Sequence, residues 1–129
     1  MGHELGARCL HCDHTFTVQH GGGFFFHLLR CERCGKTRSV GFDELGELHL
    51  HYVKGLPSPY CMASADHDRF VQEHLPLEPI TEDDYHRGVE EFAGRCCCGA
   101  RFTFDAPPRC PKCRSTRLGE GDGPLILYD

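Results

Sequence analysis

Two short stretches near the amino terminus decide how this chain folds: Cys9-Leu10-His11-Cys12 and, eighteen residues further on, Cys31-Glu32-Arg33-Cys34-Gly35. A two-residue gap between cysteines lets a tight turn direct both sulfurs at one metal ion, at about 2.3 Å from each sulfur. Two such pairs at this separation have the spacing of a structural four-cysteine zinc site. Neither pair lies in a strand–helix–strand pattern, which disfavours a thioredoxin-like redox motif. The spacing therefore predicts one metal site made of Cys9, Cys12, Cys31 and Cys34.

A second set of cysteines lies towards the carboxyl terminus, in Cys96-Cys97-Cys98-Gly99 and Cys110-Pro111-Lys112-Cys113. The later pair is regular, and its proline favours the turn. The earlier pair is irregular, because Arg95 stands where a C-x2-C pair ending at Cys98 would begin. These residues predict a second four-sulfur site made of Cys96, Cys98, Cys110 and Cys113. A register that uses Cys97 in place of Cys96 is the alternative.

The composition agrees with metal binding and restricts the class of protein. The 129 residues include 10 Cys and 10 His and no Trp. This length suits one domain or two very small ones. The sequence has no apolar run long enough to span a membrane and no apolar leader before Cys9. We therefore expect a cytoplasmic protein in a reducing compartment, where paired thiols serve as metal ligands.

Hydrophobic periodicity completes the predicted fold. Strand-like runs at residues 15–19 and 24–29 lie on either side of the triple glycine 21–23, which predicts a hairpin tip. A period of 3.6 predicts helices over 42–53, 66–75 and 81–93, with Thr81 as the N-cap of the last. The predicted fold class is a small metal-stapled α+β protein with three parts. Residues 1–41 and 95–129 form two metal-binding modules, and residues 42–94 form an acidic helical segment between them.

Both cysteine sets resemble zinc ribbons, the rubredoxin-like modules built from a β-hairpin and two cysteine knuckles. The second set resembles the small ribbons of bacterial regulatory and adaptor proteins, through Cys98-Gly99 and the stretch from Arg109 to Cys113. The resemblance implies a fold and a metal, with two Zn²⁺ per chain and iron as the alternative. It implies little about activity, because ribbons serve proteins of many functions.

Charge is distributed unevenly along the chain. The net charge is −5 overall, with −9 over residues 42–94 and +5 over residues 95–118. Two zinc ions, each held by four thiolates, would bring the total to about −9. Such a chain is poorly suited to nonspecific binding of a polyanion, so any contact with nucleic acid should be weak and confined to the basic carboxyl-terminal module.

One thiol in the middle segment raises the alternative of a catalytic metal. Cys61 could combine with His67 or His74 into a third, open site, although a small buried thiol beside surface histidines is the simpler interpretation. The sequence lacks a phosphate-binding loop, an HExxH motif and a nucleophile elbow, so catalysis is not expected. We predict a zinc-binding adaptor that docks on a protein partner. The alternatives are a rubredoxin-like iron electron carrier, a metal-handling or enzymatic role through Cys61, and nucleic-acid binding through the basic module.

Overall fold

A computed structural model describes residues 2–128 as a small α+β protein with two antiparallel sheets and four helices. The strands are β1 (Gly2–Cys9), β2 (Thr15–His20), β3 (Phe26–Cys31), β4 (Thr37–Gly41), β5 (Phe102–Thr103), β6 (Leu118–Glu120) and β7 (Ile126–Tyr128). The helices, all between β4 and β5, are α1 (Phe42–Leu45), α2 (Glu47–Lys54), α3 (Ala65–His74) and α4 (Glu82–Ala93). The predicted α+β class is confirmed at this level.

The first sheet joins the two ends of the chain. Its central strand, β1, forms a hairpin with β2, in a register that places Arg8 opposite Thr15. The other edge of β1 pairs with β6, which sets Cys9 opposite Leu118, and with β7, which sets Gly2 opposite Tyr128. The beginning of the chain is therefore bonded directly to its last strands.

The second sheet has the order β4-β3-β5. β3 forms a hairpin with β4, and its other edge pairs with β5, so that Cys31 lies opposite Phe102. The strands predicted at 15–19 and 24–29 are present, but the predicted hairpin between them is wrong. β2 pairs with β1 and β3 pairs with β4, so glycines 21–23 connect the two sheets. The knuckle at Cys9 and Cys12 reverses the chain and forms the turn between β1 and β2, and the knuckle at Cys31 and Cys34 does the same between β3 and β4.

The predicted helices are confirmed with small changes. The stretch predicted as one helix over 42–53 is divided into α1 and α2 at Gly46, whose φ of 58° interrupts the helix. In α4, the Thr81 hydroxyl accepts a hydrogen bond of 3.2 Å from the amide of Asp84, which is the expected N-cap. No helix within residues 2–128 is both long and apolar enough to cross a membrane.

The main core lies where α4 packs against the second sheet. Tyr85, Val89 and Ala93 form the buried stripe of α4. They contact a set that includes Leu29, Val40, Leu45 and Phe102 together with Cys31 and Cys96. The helices therefore serve mainly to cover the second sheet. The division into residues 1–41, 42–94 and 95–129 stays a prediction, although the first and third of these segments share both sheets.

Candidate metal centres

Eight of the ten cysteines gather into two groups of four. Site I consists of Cys9, Cys12, Cys110 and Cys113, and site II of Cys31, Cys34, Cys96 and Cys98. The eight residues are those that the sequence singled out, and the four close pairs are kept. The predicted combination of the pairs is wrong, because the first pair joins the fourth and the second joins the third.

Strand pairing is the physical reason for this nested arrangement. Cys9 ends β1, and the neighbour of β1 on that side is β6, which follows the pair at Cys110 and Cys113. Cys31 ends β3, and its neighbour is β5, which follows the pair at Cys96 and Cys98. The hydrogen-bonded ladders therefore bring each early knuckle against a late one.

The three C-x2-C knuckles share one backbone pattern, in which the first cysteine bonds to the residues four and five positions later. The N–H of the first cysteine donates to the carbonyl five residues on, and its own carbonyl accepts from the N–H four residues on. The pairs are Cys9 with His14 and Asp13, Cys31 with Lys36 and Gly35, and Cys110 with Ser115 and Arg114. The residue four positions on has a φ of 65° at Asp13, 79° at Gly35 and 65° at Arg114. Glycine marks this left-handed position in only one of the three.

The irregular pair is the same turn made one residue shorter. Cys96 N–H donates to the carbonyl of Ala100, and Gly99 N–H donates to the carbonyl of Cys96. Gly99, with a φ of 90°, takes the left-handed position one residue earlier than in the other knuckles. Cys96 and Cys98 are thus the two that face site II. Cys97 is exposed and lies outside the cluster, with its sulfur 3.8 Å from that of Cys96.

The sulfur positions fit a tetrahedral metal ion. Four ligands at about 2.3 Å from a central zinc would lie about 3.8 Å from one another. In site I, Cys9 Sγ is 3.5 Å from Cys113 Sγ and Cys12 Sγ is 3.6 Å from Cys110 Sγ. In site II the matching contacts are 3.4 Å and 3.5 Å, and the ligand atoms of each group all lie within 4.8 Å of one another. Each group therefore offers a closed set of four soft donors.

Backbone amides support the negative charge of the sulfurs. The N–H groups of His11 and Cys12 donate to Cys9 Sγ at 3.3 and 3.4 Å. Those of Arg33 and Cys34 donate to Cys31 Sγ at 3.4 and 3.5 Å, and that of Lys112 donates to Cys110 Sγ at 3.4 Å. The first cysteine of each regular knuckle is therefore stabilised as a thiolate.

Four of the eight cluster thiols have pKa values that are strongly shifted, two downwards and two upwards. Burial acts to raise the pKa of Cys9 and Cys31, but the amide donors and neighbouring thiols outweigh it and lower each pKa to about 6. Cys34 and Cys113 accept a backbone hydrogen bond that acts to lower the pKa, yet burial and the nearby sulfurs raise each to about 12. Cys34 and Cys113 therefore favour the protonated form, and binding of a metal through all four sulfurs of a site would release their protons.

The two sites differ in their surroundings. Cys31 and Cys96 belong to the main core, and Cys34 and Cys98 pack against it. In site I, Cys9 and Cys110 are buried but Cys113 is exposed, and the four residues lie outside that core. Site II is thus part of the central packing of the protein, whereas site I holds the first sheet at one side.

The residues considered for a third, open site are not assembled. Within residues 2–128, sites I and II are the groups of three or more potential ligands close enough to share an ion. Cys61 Sγ lies 3.2 Å from Ser64 Oγ, and His67 contacts Asp68 at 3.3 Å. Sequence reasoning also missed a cleft that lies beside both sites and is lined by Arg30, Lys36 and Arg109. No sequence signal relates these three residues, since they come from separate segments.

Residues 5–119 match the family model described as "Domain of unknown function (DUF8255)", and since this range is most of the chain, the protein belongs to that family. Comparison with curated proteins and comparison with solved structures gave no match.

Proposed function

We propose that this member of the DUF8255 family is a zinc-binding adaptor, with one structural Zn²⁺ in each four-cysteine site and a role in docking on a protein partner. The observation that carries the zinc assignment is the closed set of four sulfurs in each site, at spacings suited to a tetrahedral ion. Four protein ligands leave no coordination position for water or a substrate, which is typical of structural zinc rather than catalytic zinc.

The arrangement also supports a description as two nested zinc ribbons. Each would consist of a hairpin with a knuckle at its turn, a second knuckle, and a third strand: β1, β2 and β6 around site I, and β3, β4 and β5 around site II. Each module is too small to bury a sufficient core of its own, so the metal would supply folding free energy.

Zinc is preferred over iron for both sites, although tetrahedral sulfur suits either metal. Electron transfer by a rubredoxin-like iron centre is the alternative. Metal analysis of the full-length protein, purified without added metal, tests the assignment. We expect two zinc equivalents per chain and no visible absorption. A red protein with strong visible absorption would indicate ferric iron in place of zinc, and a stoichiometry of one would contradict the two-site proposal.

The Cys61→Ser and Cys97→Ser variants are matched controls for this measurement. Both cysteines lie outside the two clusters, so each variant is expected to keep two metal equivalents. Loss of metal from Cys97→Ser would indicate that the alternative register operates in site II. Loss from Cys61→Ser would favour the metal-handling role.

Docking on a protein is supported by charge and by exposed apolar side chains. The acidic total disfavours nucleic acid as the main partner. Leu125, Ile126 and Leu127 form a consecutive run, exposed by 58%, 47% and 66% respectively. Exposed apolar side chains that lie close together commonly mark an interaction site.

The docking role predicts that a protein partner recovered with the wild-type chain is lost with Leu127→Lys. The control is Met62→Lys, at a side chain 95% exposed elsewhere on the surface, which should keep the partner. Equal loss with both variants, or with neither, would contradict docking through this run.

A further inference from the structure

A cleft of about 480 Å³ lies beside the two metal sites. Its lining residues come from β2, from the end of β3 and the start of β4, and from the segment that leads into the knuckle at Cys110 and Cys113. Its volume lies within the range of about 300–1,000 Å³ that is usual for small-molecule sites.

Three cations from separate segments line this cleft: Arg30 of β3, Lys36 before β4, and Arg109 before Cys110. Within residues 2–128, none of the three has a carboxylate oxygen within 4.0 Å of its charged nitrogens. Glu4 is the one acid among the lining residues, so the lining carries a surplus of positive charge. Convergent cations without acidic partners are suited to an anion.

Arg109 lies between the two metal sites, since it precedes Cys110 of site I and packs against Gly35, which follows Cys34 of site II. A Cβ at Gly35 would lie 2.8 Å from Arg109 Cβ, so the close approach of the two segments depends on glycine there. Arg109 Nη1 donates to the carbonyl of Arg114 at 3.0 Å, whereas Nε is buried and has no hydrogen-bond partner within the described residues. A buried N–H without an acceptor costs free energy, and the guanidinium N–H groups that are not buried can donate to an oxyanion in the cleft.

The remaining walls of the cleft are mixed in character. Phe16, Pro108 and Pro111 supply apolar surface, while Thr17 and Thr37 supply hydroxyl groups. A ligand that combines an anionic group with a flat, largely apolar group would match both kinds of wall.

We propose that this cleft binds a small phosphorylated ligand of the nucleoside phosphate class, with the phosphate among Arg30, Lys36 and Arg109. The structure favours a small molecule over a nucleic acid because three cations line one small cleft, while the chain as a whole has a net charge of −5. The proposal goes beyond the zinc-binding role and assigns a ligand to a surface outside both metal sites.

The competing role for the same cations is to offset the charge of the thiolate clusters. Lys36 and Arg109 also line a smaller cavity of about 290 Å³ that includes Cys34, so they lie near site II. If this role is correct, zinc retention depends on Lys36 and Arg109, and no ligand binds in the cleft. The two roles therefore differ in a measurable way.

Isothermal titration calorimetry with the full-length, metal-loaded protein tests the proposal, using ATP, inorganic phosphate and a short single-stranded oligothymidylate as probes. We expect ATP to bind with a Kd below about 1 mM and inorganic phosphate to bind more weakly. The oligonucleotide should bind no more tightly than ATP. Tighter binding of the oligonucleotide would overturn the small-ligand proposal, and an absence of ATP binding would overturn the site.

Variants locate the binding within the cleft. Arg109→Gln should raise the Kd for ATP by about tenfold or more, since hydrogen bonds to charged groups are strong. Arg101→Gln is the matched control, because it makes the same charge change at an exposed residue outside the cleft and should leave the Kd within about twofold. Glu4→Gln removes the one acid of the lining and should lower the Kd.

Zinc content is measured for every variant, so that loss of the fold is separated from loss of the ligand. Equal effects of Arg109→Gln and Arg101→Gln at full zinc content would contradict the proposal. If Arg109→Gln loses zinc, Glu4→Gln decides alone, and an unchanged or raised Kd in that variant would overturn the assignment.

Discussion

Two double cysteine variants distinguish the nested arrangement of the metal sites from one in which cysteine pairs that are neighbours in the sequence share a metal. Cys12 and Cys110 belong to one site in the structure, with their sulfurs 3.6 Å apart, whereas Cys12 and Cys34 belong to different sites. The double variant Cys12→Ser/Cys110→Ser should therefore damage site I alone. The double variant Cys12→Ser/Cys34→Ser should damage both sites and leave three cysteines in each.

The loss of stability expected when site I is removed can be estimated from the chain loop that its metal closes. Site I links Cys12 to Cys110 across 97 intervening residues, whereas the sequence-neighbour pairing would link Cys12 to Cys31 across 18. By the loop-entropy estimate for covalent cross-links, these closures contribute about 4.7 and about 3.2 kcal/mol. Binding of a structural zinc contributes about 10–16 kcal/mol per site, comparable with the whole stability of a domain. The loss of one site should therefore unfold the elements that it holds.

The assay counts zinc that resists competition by a chromogenic chelator. We expect two resistant equivalents in the wild type, one in Cys12→Ser/Cys110→Ser and none in Cys12→Ser/Cys34→Ser. The control variant Cys61→Ser/Cys97→Ser should keep two. If Cys12→Ser/Cys34→Ser keeps one resistant equivalent while Cys12→Ser/Cys110→Ser keeps none, the nested arrangement is refuted and pairing between neighbours is correct.

Three further predictions concern folding. Chelation followed by circular dichroism should give two phases, with the strands of the first sheet lost before the helices that pack around site II; an unchanged spectrum would exclude a structural role for the metal. Tyr85→Phe should lower the free energy of unfolding by about 2–4 kcal/mol, because the buried hydroxyl forms hydrogen bonds with His27 Nε2 and His49 Nδ1 at 2.7 Å each. The control is Tyr52→Phe, which keeps the ring stacked on Tyr85 and should lower the free energy of unfolding by less than about 1 kcal/mol. Equal losses for the two variants in urea titrations would show that the Tyr85 hydroxyl makes no special contribution. Burial lowers the pKa of His27 and His49 to about 4, so the folded state binds fewer protons than the unfolded state. The linked contribution to the free energy of unfolding is about 3 kcal/mol for each histidine; it is complete above about pH 6.5 and is lost as the pH falls towards 4. A urea midpoint that stays constant from pH 7 to 5 at full zinc content would contradict this prediction.

Local chemistry was readable from the sequence alone. The spacing of Cys9 and Cys12, and of each later pair, specifies a knuckle because one turn suffices to bring both sulfurs together. The helical period over 81–93 and its Thr81 cap are equally local, and α4 forms where they indicate. These features depend on residues within about one to four turns of each other, so no knowledge of the rest of the chain is required.

The partner of each knuckle was decided only in the tertiary structure. Any C-x2-C pair offers the same two sulfurs, and loop-closure entropy favours the neighbour by only about 1.5 kcal/mol, which is small beside the free energy of one zinc site. The choice is made by the strand ladders that set β6 against β1 and β5 against β3, together with the packing of α4 on the second sheet. The same ladders bring Arg30, Lys36 and Arg109 to one cleft, which a sequence cannot disclose because their proximity depends on contacts between distant segments.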